Sequence, residues 1–167
     1  MAVREGLLAV LSERPGHGYQ LKSGFEAATG GVWPLNVGQV YTTLDRLARD
    51  GLVDVSEADG QRSYRITEDG VAVLGAWWDT VPGDEPPQRD ELMLKVLLAV
   101  SAGKRQALEV IDRQRKAVMA LLQYHRHKPP AGDPGLAQAM VTDALVARAE
   151  ADLRWLDRCE ERLEAGS

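Results

Sequence analysis

Between positions 36 and 51, polar and apolar residues alternate with the period of a half-buried helix. The apolar stripe recurs at i, i+4 and i+7, in Val40, Leu44 and Leu47. The polar residues off that stripe are expected to face solvent or a partner: Gln39, Thr42, Thr43, Arg46 and Arg49. Asn36 stands where it can cap the first turn, and Gly51 where it can end the last. The pattern predicts a helix of about 13 residues, which rises roughly 20 Å.

Two short strands and further helices are predicted around this segment. Residues 52–55 and 63–66 flank a polar turn that contains Gly and Asp, which predicts a hairpin. Apolar periodicity predicts three more helices, which are residues 3–13, residues 19–28 and a helix capped by Thr67. The order helix, helix, helix, strand, strand, helix is typical of a winged helix-turn-helix with a two-stranded wing. A helix of that length also fits the DNA major groove, which is about 12 Å wide.

The second half of the chain predicts a separate helical domain. Its three helices are expected from about residue 90 to 100, from 104 to 127 and from 136 to 163. The first is apolar on nearly all sides between Leu92 and Leu98, so it must be covered on all sides. In the second, an inward face is expected at Leu108, Ile111, Val118, Leu121 and Leu122. The third carries a coiled-coil-like seam at Leu145, Leu156, Cys159 and Leu163. Three helices of unequal length cover one another poorly, which predicts pairing with a second copy of the chain.

The domain boundaries follow from a break in composition. Residues 82–88 are rich in Pro and Gly and predict a short, stiff linker. We therefore expect a winged helix-turn-helix domain over 1–81, a linker over 82–89 and a helical dimerisation domain over 90–167. The expected fold class is mainly α, of the α+β type.

Composition places the chain among ordinary globular proteins. It is 44% hydrophobic and 27% charged. Its single cysteine, Cys159, excludes an internal disulfide and favours a reducing cytoplasm. No run of about 18 apolar residues and no signal-peptide pattern occur, so neither a membrane span nor export is expected.

The charge favours two different functions. The formal net charge is −5, and residues 1–80 hold 7 Lys and Arg against 11 Asp and Glu, a net charge of −4. Domains that bind nucleic acid are usually basic, so the global charge favours a winged-helix module that binds proteins and not DNA. The local pattern favours DNA, because the cations fall on the predicted helix-turn-helix and wing: Lys22, Arg46, Arg49, Arg62 and Arg65.

Three motifs, in order, resemble the PadR family of bacterial transcriptional regulators. They are the run from Leu7 through Pro15-Gly16-His17-Gly18-Tyr19-Gln20-Leu21, the run Gly38-Gln39-Val40-Tyr41-Thr42-Thr43-Leu44-Asp45-Arg46-Leu47 with Gly51-Leu52-Val53, and the run Tyr64-Arg65-Ile66-Thr67-Glu68-Asp69-Gly70. The resemblance covers roughly residues 3–78. Residues 89–95 look like the start of the helical dimerisation region of that family.

The resemblance implies a homodimeric, DNA-binding repressor. Its recognition helix enters the major groove of double-stranded DNA, and its wing touches the backbone or the minor groove. Carried onto this chain, the family pattern assigns phosphate contacts near the second helix to Tyr19 and Lys22. It assigns the recognition helix contacts to Gln39, Tyr41, Thr42 and Arg46, and the wing contact to Arg62.

The other sequence motifs predict neither catalysis nor a bound cofactor. No paired-carboxylate, phosphate-loop, dinucleotide or nucleophile motif occurs. His17, His125, His127 and Cys159 lack metal-ligand spacing, so solvated or capping histidines are expected. Two interpretations are open for Trp77, Trp78 and Trp155. In the first, they pack in the core; in the second, they line a cavity in the dimer that binds a small hydrophobic or aromatic effector.

Overall fold

The computed structural model describes residues 3–58, 60–81, 90–127 and 135–166. The chain divides into two units, Met1–Pro82 and Gly83–Ser167. The predicted linker, 82–89, lies outside the described residues. The N-terminal unit contains, in order, α1 Val3–Glu13, β1 Gly16–His17, α2 Gly18–Ala28, α3 Val37–Arg49, β2 Val53–Ala58, β3 Gln61–Ile66 and α4 Glu68–Asp79. The C-terminal unit contains α5 Glu91–Ala102, α6 Lys104–His127 and α7 Leu136–Ala165. The mainly helical fold with a winged helix-turn-helix is confirmed.

Helix α3 is formed and ended by the residues that its sequence predicted. The Asn36 side chain accepts a hydrogen bond from the Gly38 backbone N–H at 2.8 Å, which caps the first turn. Gly51 follows the helix with a φ of 72°, a left-handed conformation that glycine adopts without a Cβ clash. The stripe of Val40, Leu44 and Leu47 is completely buried. The opposite side of α3 is thereby left to solvent.

The sheet is larger than the predicted wing. Strands β2 and β3 pair antiparallel, with Val53 opposite Ile66 and Ala58 opposite Gln61. Strand β1 adds a third, two-residue strand on the other side of β3, in the order β1-β3-β2. The predicted polar turn over 57–62 was too long, because the outer ends of β2 and β3 are polar and lack an alternating pattern. β1 is too short to carry any periodic signal.

One core holds the N-terminal unit together. Residues from α1, α2, α3, the two long strands and α4 form a single buried cluster, which includes Leu7, Leu8, Leu11, Leu21, Phe25, Tyr64 and Leu74. Gly70 lets α4 approach the residue before β2 closely, since a Cβ at residue 70 would lie 2.2 Å from the carbonyl oxygen of Leu52. Thr67 caps α4 by accepting the Gly70 N–H at 3.1 Å, as its sequence predicted.

The C-terminal unit buries one stripe of each helix. Its core consists of Val96, Ile111, Val118, Leu122, Ala149 and Leu156. Leu121 was expected to face inward but is 54% exposed, because it lies about 100° around α6 from the buried Leu122. Leu145 of the predicted seam is also exposed within one chain. Arg115 of α6 pairs with Asp157 and Glu160 of α7, which fixes these two helices side by side.

Helix α5 is not covered within one chain. Only Val96 and Ala99 of this helix are buried, while Leu94, Leu97 and Leu98 are each more than half exposed. The expectation that α5 is buried on all sides is therefore not met by the unit itself. None of the described helices combines the length and the hydropathy needed to cross a membrane.

Candidate nucleic-acid interface

The solvent-facing side of α3 carries a row of hydrogen-bonding side chains. Gln39, Tyr41, Thr42 and Arg46 are exposed there, and Thr43 is half-buried. The Thr42 hydroxyl donates to the Gly38 carbonyl at 2.8 Å, so its oxygen lone pairs stay available as acceptors. Amide, hydroxyl and guanidinium groups on one helix face are the groups that recognise base edges and phosphates. The structure thus brings four of the sequence-predicted contact residues onto one face.

Tyr41 is positioned by the start of α2. Its ring lies over Gly18, where an added Cβ would be 2.6 Å from the Tyr41 Cζ atom. Only glycine at residue 18 allows this contact, because the aromatic ring occupies the space of any side chain. Tyr41 is still 39% exposed, so part of its side chain is accessible to solvent. The glycine of the His17-Gly18-Tyr19 motif therefore sets the orientation of a recognition-helix residue.

A groove joins the recognition helix to the wing. It has a volume of about 490 Å³, and its walls include Tyr19, Tyr41 and Arg62. Tyr19 is 64% exposed and follows His17, whose ring accepts the Gln20 N–H in a capping box at the start of α2. The structure brings these three predicted contact residues together, although they come from α2, α3 and β3.

Arg62 has a structural contact that the sequence did not reveal. Its guanidinium lies 3.7 Å from the carboxylate of Asp45 on α3, and both side chains are mostly exposed. The pair connects β3 of the wing to α3. Burial raises the pKa of the nearby Tyr64 phenol, and the negative charge of Asp45 raises it further. Asp45 and Arg62 are 17 positions apart in sequence, so no local spacing indicates the contact.

Lys22 is engaged by a carboxylate that sequence analysis also missed. Its ammonium group donates to both carboxylate oxygens of Glu26 at 2.7 Å, and the Leu35 backbone N–H donates to the same carboxylate at 2.9 Å. The hydrogen bond from Lys22, together with that from Leu35, holds the pKa of Glu26 below its usual value of 4.5. The i, i+4 spacing of Lys22 and Glu26 is the sequence signal for this pair. Lys22 therefore helps to fasten the segment before α3.

The other cations of the N-terminal unit divide into paired and unpaired groups. Arg4 lies near Glu5 and Asp50, and Arg49 lies 3.7 Å from Asp50. Within the described part of the chain, Arg14, Arg46 and Arg65 have no ion-pair partner. Arg46 is the one of these three that stands on α3. Its guanidinium is exposed and has no carboxylate partner among the described residues.

Two of the three tryptophans predicted to bind an effector are neighbours. The rings of Trp77 and Trp78 have centroids 4.4 Å apart and planes tilted by 49°. Both line a cleft of about 790 Å³ in the N-terminal unit, and Trp33, which sequence analysis did not connect with them, lines it too. Trp155 belongs to the C-terminal unit, where it is half-buried and packs against the core of that unit. Its participation in an effector site stays a prediction.

Within the described ranges, histidine and cysteine side chains form no cluster suited to a metal. Among the described residues no group of three or more His, Cys, Asp or Glu side chains converges. His17 caps α2, in line with the capping role expected for such residues. Burial raises the pKa of the Cys159 thiol, which keeps it protonated and poorly nucleophilic.

Comparison with known families matches both units. Residues 7–76 match the model of the transcriptional regulator PadR-like family. Residues 88–164 match the model described as virulence activator alpha C-term. The transcriptional regulator YqjI of Escherichia coli (strain K12) is 34% identical over 69 residues, which are 41% of this chain and 33% of that protein. The match thus spans about a third of the length of this curated relative.

Solved structures share the fold over nearly the whole chain. The virulence activator AphA of Vibrio cholerae is 27% identical, with a TM-score of 0.55 over 99% of this chain and 100% of that chain. PadR of Bacillus subtilis in complex with operator DNA is 19% identical, with a TM-score of 0.62 over 98% of this chain and 99% of that chain. The same protein in complex with p-coumaric acid gives a TM-score of 0.66 at equal identity and coverage. The fold is therefore that of transcriptional regulators.

Proposed function

Because the chain belongs to the PadR-like family of DNA-binding transcriptional regulators, we propose that it is a repressor that binds an inverted-repeat operator as a homodimer. We further propose that a small hydrophobic or aromatic effector releases it from DNA. The proposal assigns no catalytic step to the chain, and it places the protein in the cytoplasm, where bacterial DNA lies.

The observation that carries the proposal is the division of α3 into two faces. One face is completely buried against the core, and the other presents Gln39, Tyr41, Thr42 and Arg46 to solvent. A helix of 13 residues, about 20 Å long, fits the major groove with that face toward the bases. The wing beside it carries Arg62, and Tyr19 lies across the same groove. In B. subtilis PadR, the same fold is seen on operator DNA.

The charge distribution supports sequence-specific binding and a modest electrostatic contribution. The pairing of Lys22 and Arg62 with acidic residues reduces the number of free cations on this face. Each phosphate neutralised by a cation contributes about −0.9 to the slope of log K against log salt concentration. We therefore expect a shallower salt dependence than for a strongly basic repressor, with hydrogen bonds to bases supplying more of the specificity.

A second copy of the chain is the proposed partner of α5. Leu94, Leu97 and Leu98 follow one another at i, i+3 and i+4 and are exposed in the single chain. Apolar faces of this kind are rare on monomeric proteins and usually mark an interface. Exposed apolar residues continue on the other two helices of the unit, at Met119, Leu121, Leu136, Met140 and Leu145. A dimer would cover part of this surface and present two recognition helices to two half-sites.

The proposed effector site includes tryptophan side chains. Trp77 and Trp78 line the cleft of the N-terminal unit and offer indole faces to a flat ligand. The B. subtilis structure with p-coumaric acid supports a small aromatic effector for this fold. A ligand can shift DNA binding only by as much as its affinities for the DNA-bound and free conformations differ. Trp155, in the C-terminal unit, stays a proposed effector contact.

Arg46 provides the sharpest mutational test of DNA binding. Replacing Arg46 with Ala should weaken operator binding by about 1–3 kcal/mol without altering the unfolding midpoint, because the side chain is exposed. Arg113→Ala is the matched control, since it removes an exposed guanidinium from the C-terminal unit. Fluorescence anisotropy with a labelled duplex measures both affinities. Equal affinities for the wild type and Arg46→Ala would contradict the proposed face and favour a protein-binding role for the module.

A further inference from the structure

The N-terminal unit buries the hydroxyl group of Tyr64 without a hydrogen-bond partner among the described residues. Tyr64 lies on the central strand of the sheet, opposite Val55 of β2 and Gly16 of β1, and it is 1% exposed. A buried hydroxyl is almost always hydrogen-bonded, because the loss of its hydration otherwise destabilises the fold. The packing of the core therefore explains the ring of Tyr64 but not its hydroxyl.

Two opposite charges lie near this hydroxyl. Arg62 and Tyr64 are two positions apart on β3, so their side chains point to the same side of the sheet. The Arg62 guanidinium lies 3.7 Å from the Asp45 carboxylate of α3. The pKa of the Tyr64 phenol is raised chiefly by burial and further by the charge of Asp45, while the nearby guanidinium of Arg62 opposes this shift. The hydroxyl thus lies near a carboxylate that could accept a hydrogen bond from it.

Arg62 is the cation that holds this carboxylate in the DNA-free chain. The same guanidinium is the predicted wing contact to DNA. If it moves to a phosphate, the exposed Asp45 carboxylate loses its cation and faces the negative charge of the DNA. A hydroxyl that donates to a carboxylate makes a charge-assisted hydrogen bond, which is stronger than one between neutral groups. Tyr64 provides such a donor beside Asp45.

We propose that Tyr64 is a positioning residue for DNA binding, whose hydroxyl donates a hydrogen bond to the Asp45 carboxylate when Arg62 moves from that carboxylate to a phosphate. In the DNA-free chain, Asp45 pairs with Arg62. On DNA, the phosphate binds Arg62 and the Tyr64 hydroxyl binds Asp45. The exchange stabilises the conformation in which the wing contacts DNA. The role on DNA rests on the proposed function, while the ability of Tyr64 to bind an unpaired Asp45 does not.

A double-mutant cycle without DNA tests the hydrogen bond. Tyr64→Phe removes only the hydroxyl, so urea unfolding of the full chain should show an unchanged or smaller unfolding constant than that of the wild type. In Arg62→Ala the Asp45 carboxylate has lost its cation, and the hydroxyl is able to donate to it. Adding Tyr64→Phe to Arg62→Ala should therefore raise the unfolding constant about fivefold, as expected for the loss of one hydrogen bond.

Arg65→Ala is the matched control background for this cycle. Arg65 is exposed and adjacent to Tyr64 on β3, but its side chain points to the other side of the strand. Tyr64→Phe should have the same effect there as in the wild type. An equal effect of Tyr64→Phe in the wild type and in Arg62→Ala would overturn the proposal. A raised unfolding constant of Tyr64→Phe in the wild type would overturn it too, since the hydroxyl would already have a partner, such as a buried water molecule, without DNA.

Operator binding tests the role of the hydroxyl on DNA. Tyr64→Phe should bind a labelled operator about fivefold more weakly than the wild type, because only the complex loses a hydrogen bond. In the Arg62→Ala background, Tyr64→Phe should leave the affinity unchanged. A merely structural residue would instead lower stability and affinity together.

The two assays distinguish failure of this inference from failure of the proposed function. Equal operator affinities of the wild type and Tyr64→Phe, with specific binding by both, would overturn the role of Tyr64 in DNA binding alone. Absence of sequence-specific binding by the wild type would contradict the proposed function, and the DNA-free cycle would then decide whether the hydrogen bond forms.

Discussion

At the scale of single residues, acidic side chains restrain the cations that DNA binding needs. Asp45 pairs with Arg62 of the wing, Glu26 with Lys22 of α2, and Asp50 with Arg49 at the end of α3. These pairs reduce the number of cations that are free to contact DNA. The proposed phosphate contacts of Lys22 and Arg62 would compete with the internal pairs, so each acidic partner is expected to modulate affinity.

Neutralising Asp45 should strengthen DNA binding through Arg62. The pair is 3.7 Å long and mostly exposed, so its loss should change stability by less than about 1 kcal/mol. In Asp45→Asn, a freed Arg62 should steepen the slope of log K against log salt concentration by about one unit. A double-mutant cycle tests whether the gain in DNA affinity comes from Arg62. That gain should shrink when Asp45→Asn is combined with Arg62→Ala. An equal gain in both backgrounds would show that Asp45 acts by repelling DNA and not by holding Arg62.

Gly18 should tolerate no side chain. In Gly18→Ala the new Cβ would lie 2.6 Å from Tyr41 Cζ, so the ring must move, at a cost of about 1–3 kcal/mol in unfolding free energy and with weaker operator binding. The matched control is Gly75→Ala in α4, where a Cβ meets nothing within 4 Å and helix propensity should add about 0.5–1 kcal/mol. Urea unfolding measures both. A neutral Gly18→Ala would contradict the contact.

The sequence predicted which side chains are exposed better than it predicted their partners. The exposed face of α3 follows from helical period alone, and Lys22–Glu26 follows from i, i+4 spacing. The Asp45–Arg62 pair and the position of Tyr41 over Gly18 join segments that meet only in the folded unit. Periodicity describes one element at a time, so contacts between elements were not predictable.

At the scale of elements, the segment before the recognition helix is fastened by one carboxylate. Glu26 of α2 accepts the N–H of Leu35, the residue that precedes the Asn36 cap of α3. The position of α3 on the core therefore depends on a side chain that is not among the predicted DNA contacts. The bounds of the helices were predicted to within a few residues, because caps and apolar stripes are local signals. Strand β1 was not predicted, since pairing with β3 and not its own sequence makes it a strand.

The Glu26 contact should appear in the pH dependence of stability. Its pKa is lowered in the folded chain, chiefly by the hydrogen bond from Lys22, so its stabilising effect is present above the ordinary value of 4.5. The effect is lost as the pH falls through the lowered folded pKa. Urea midpoints of the wild type should therefore fall more steeply below about pH 4.5 than those of Glu26→Gln, which keeps an acceptor for Leu35 but has no charge to lose. Parallel pH profiles for the two proteins would contradict this role.

At the scale of the whole molecule, we propose that a second copy of the chain covers the exposed apolar face of α5. The sequence predicted such a partner, because a helix apolar on all sides cannot be covered by two amphipathic neighbours. It did not indicate which side is left open. Burial of Val96 and Ala99 within the unit leaves Leu94, Leu97 and Leu98 as the uncovered side.

A charge on that side should separate the proposed dimer. Leu97→Glu should give a folded monomer by light scattering, because Leu97 is 56% exposed in the single chain and contributes little to its core. Its affinity for an operator with two half-sites should fall by about 10²-fold or more, since the two recognition helices no longer bind together. Leu97→Met, which keeps the face apolar, should remain dimeric. If Leu97→Glu remained dimeric, the dimer interface would not lie on this face of α5.

Selection of duplexes from a random-sequence DNA library by the full chain tests the central claim most directly. We expect enrichment of an inverted repeat whose half-sites lie about one helical turn apart, or a multiple of one turn, with two chains bound per duplex. Its affinity should exceed that for a scrambled duplex by about 10³-fold or more at physiological salt. Sequence-specific DNA binding would be contradicted if the selection enriched no common sequence. The selected and scrambled duplexes would then bind equally or not at all.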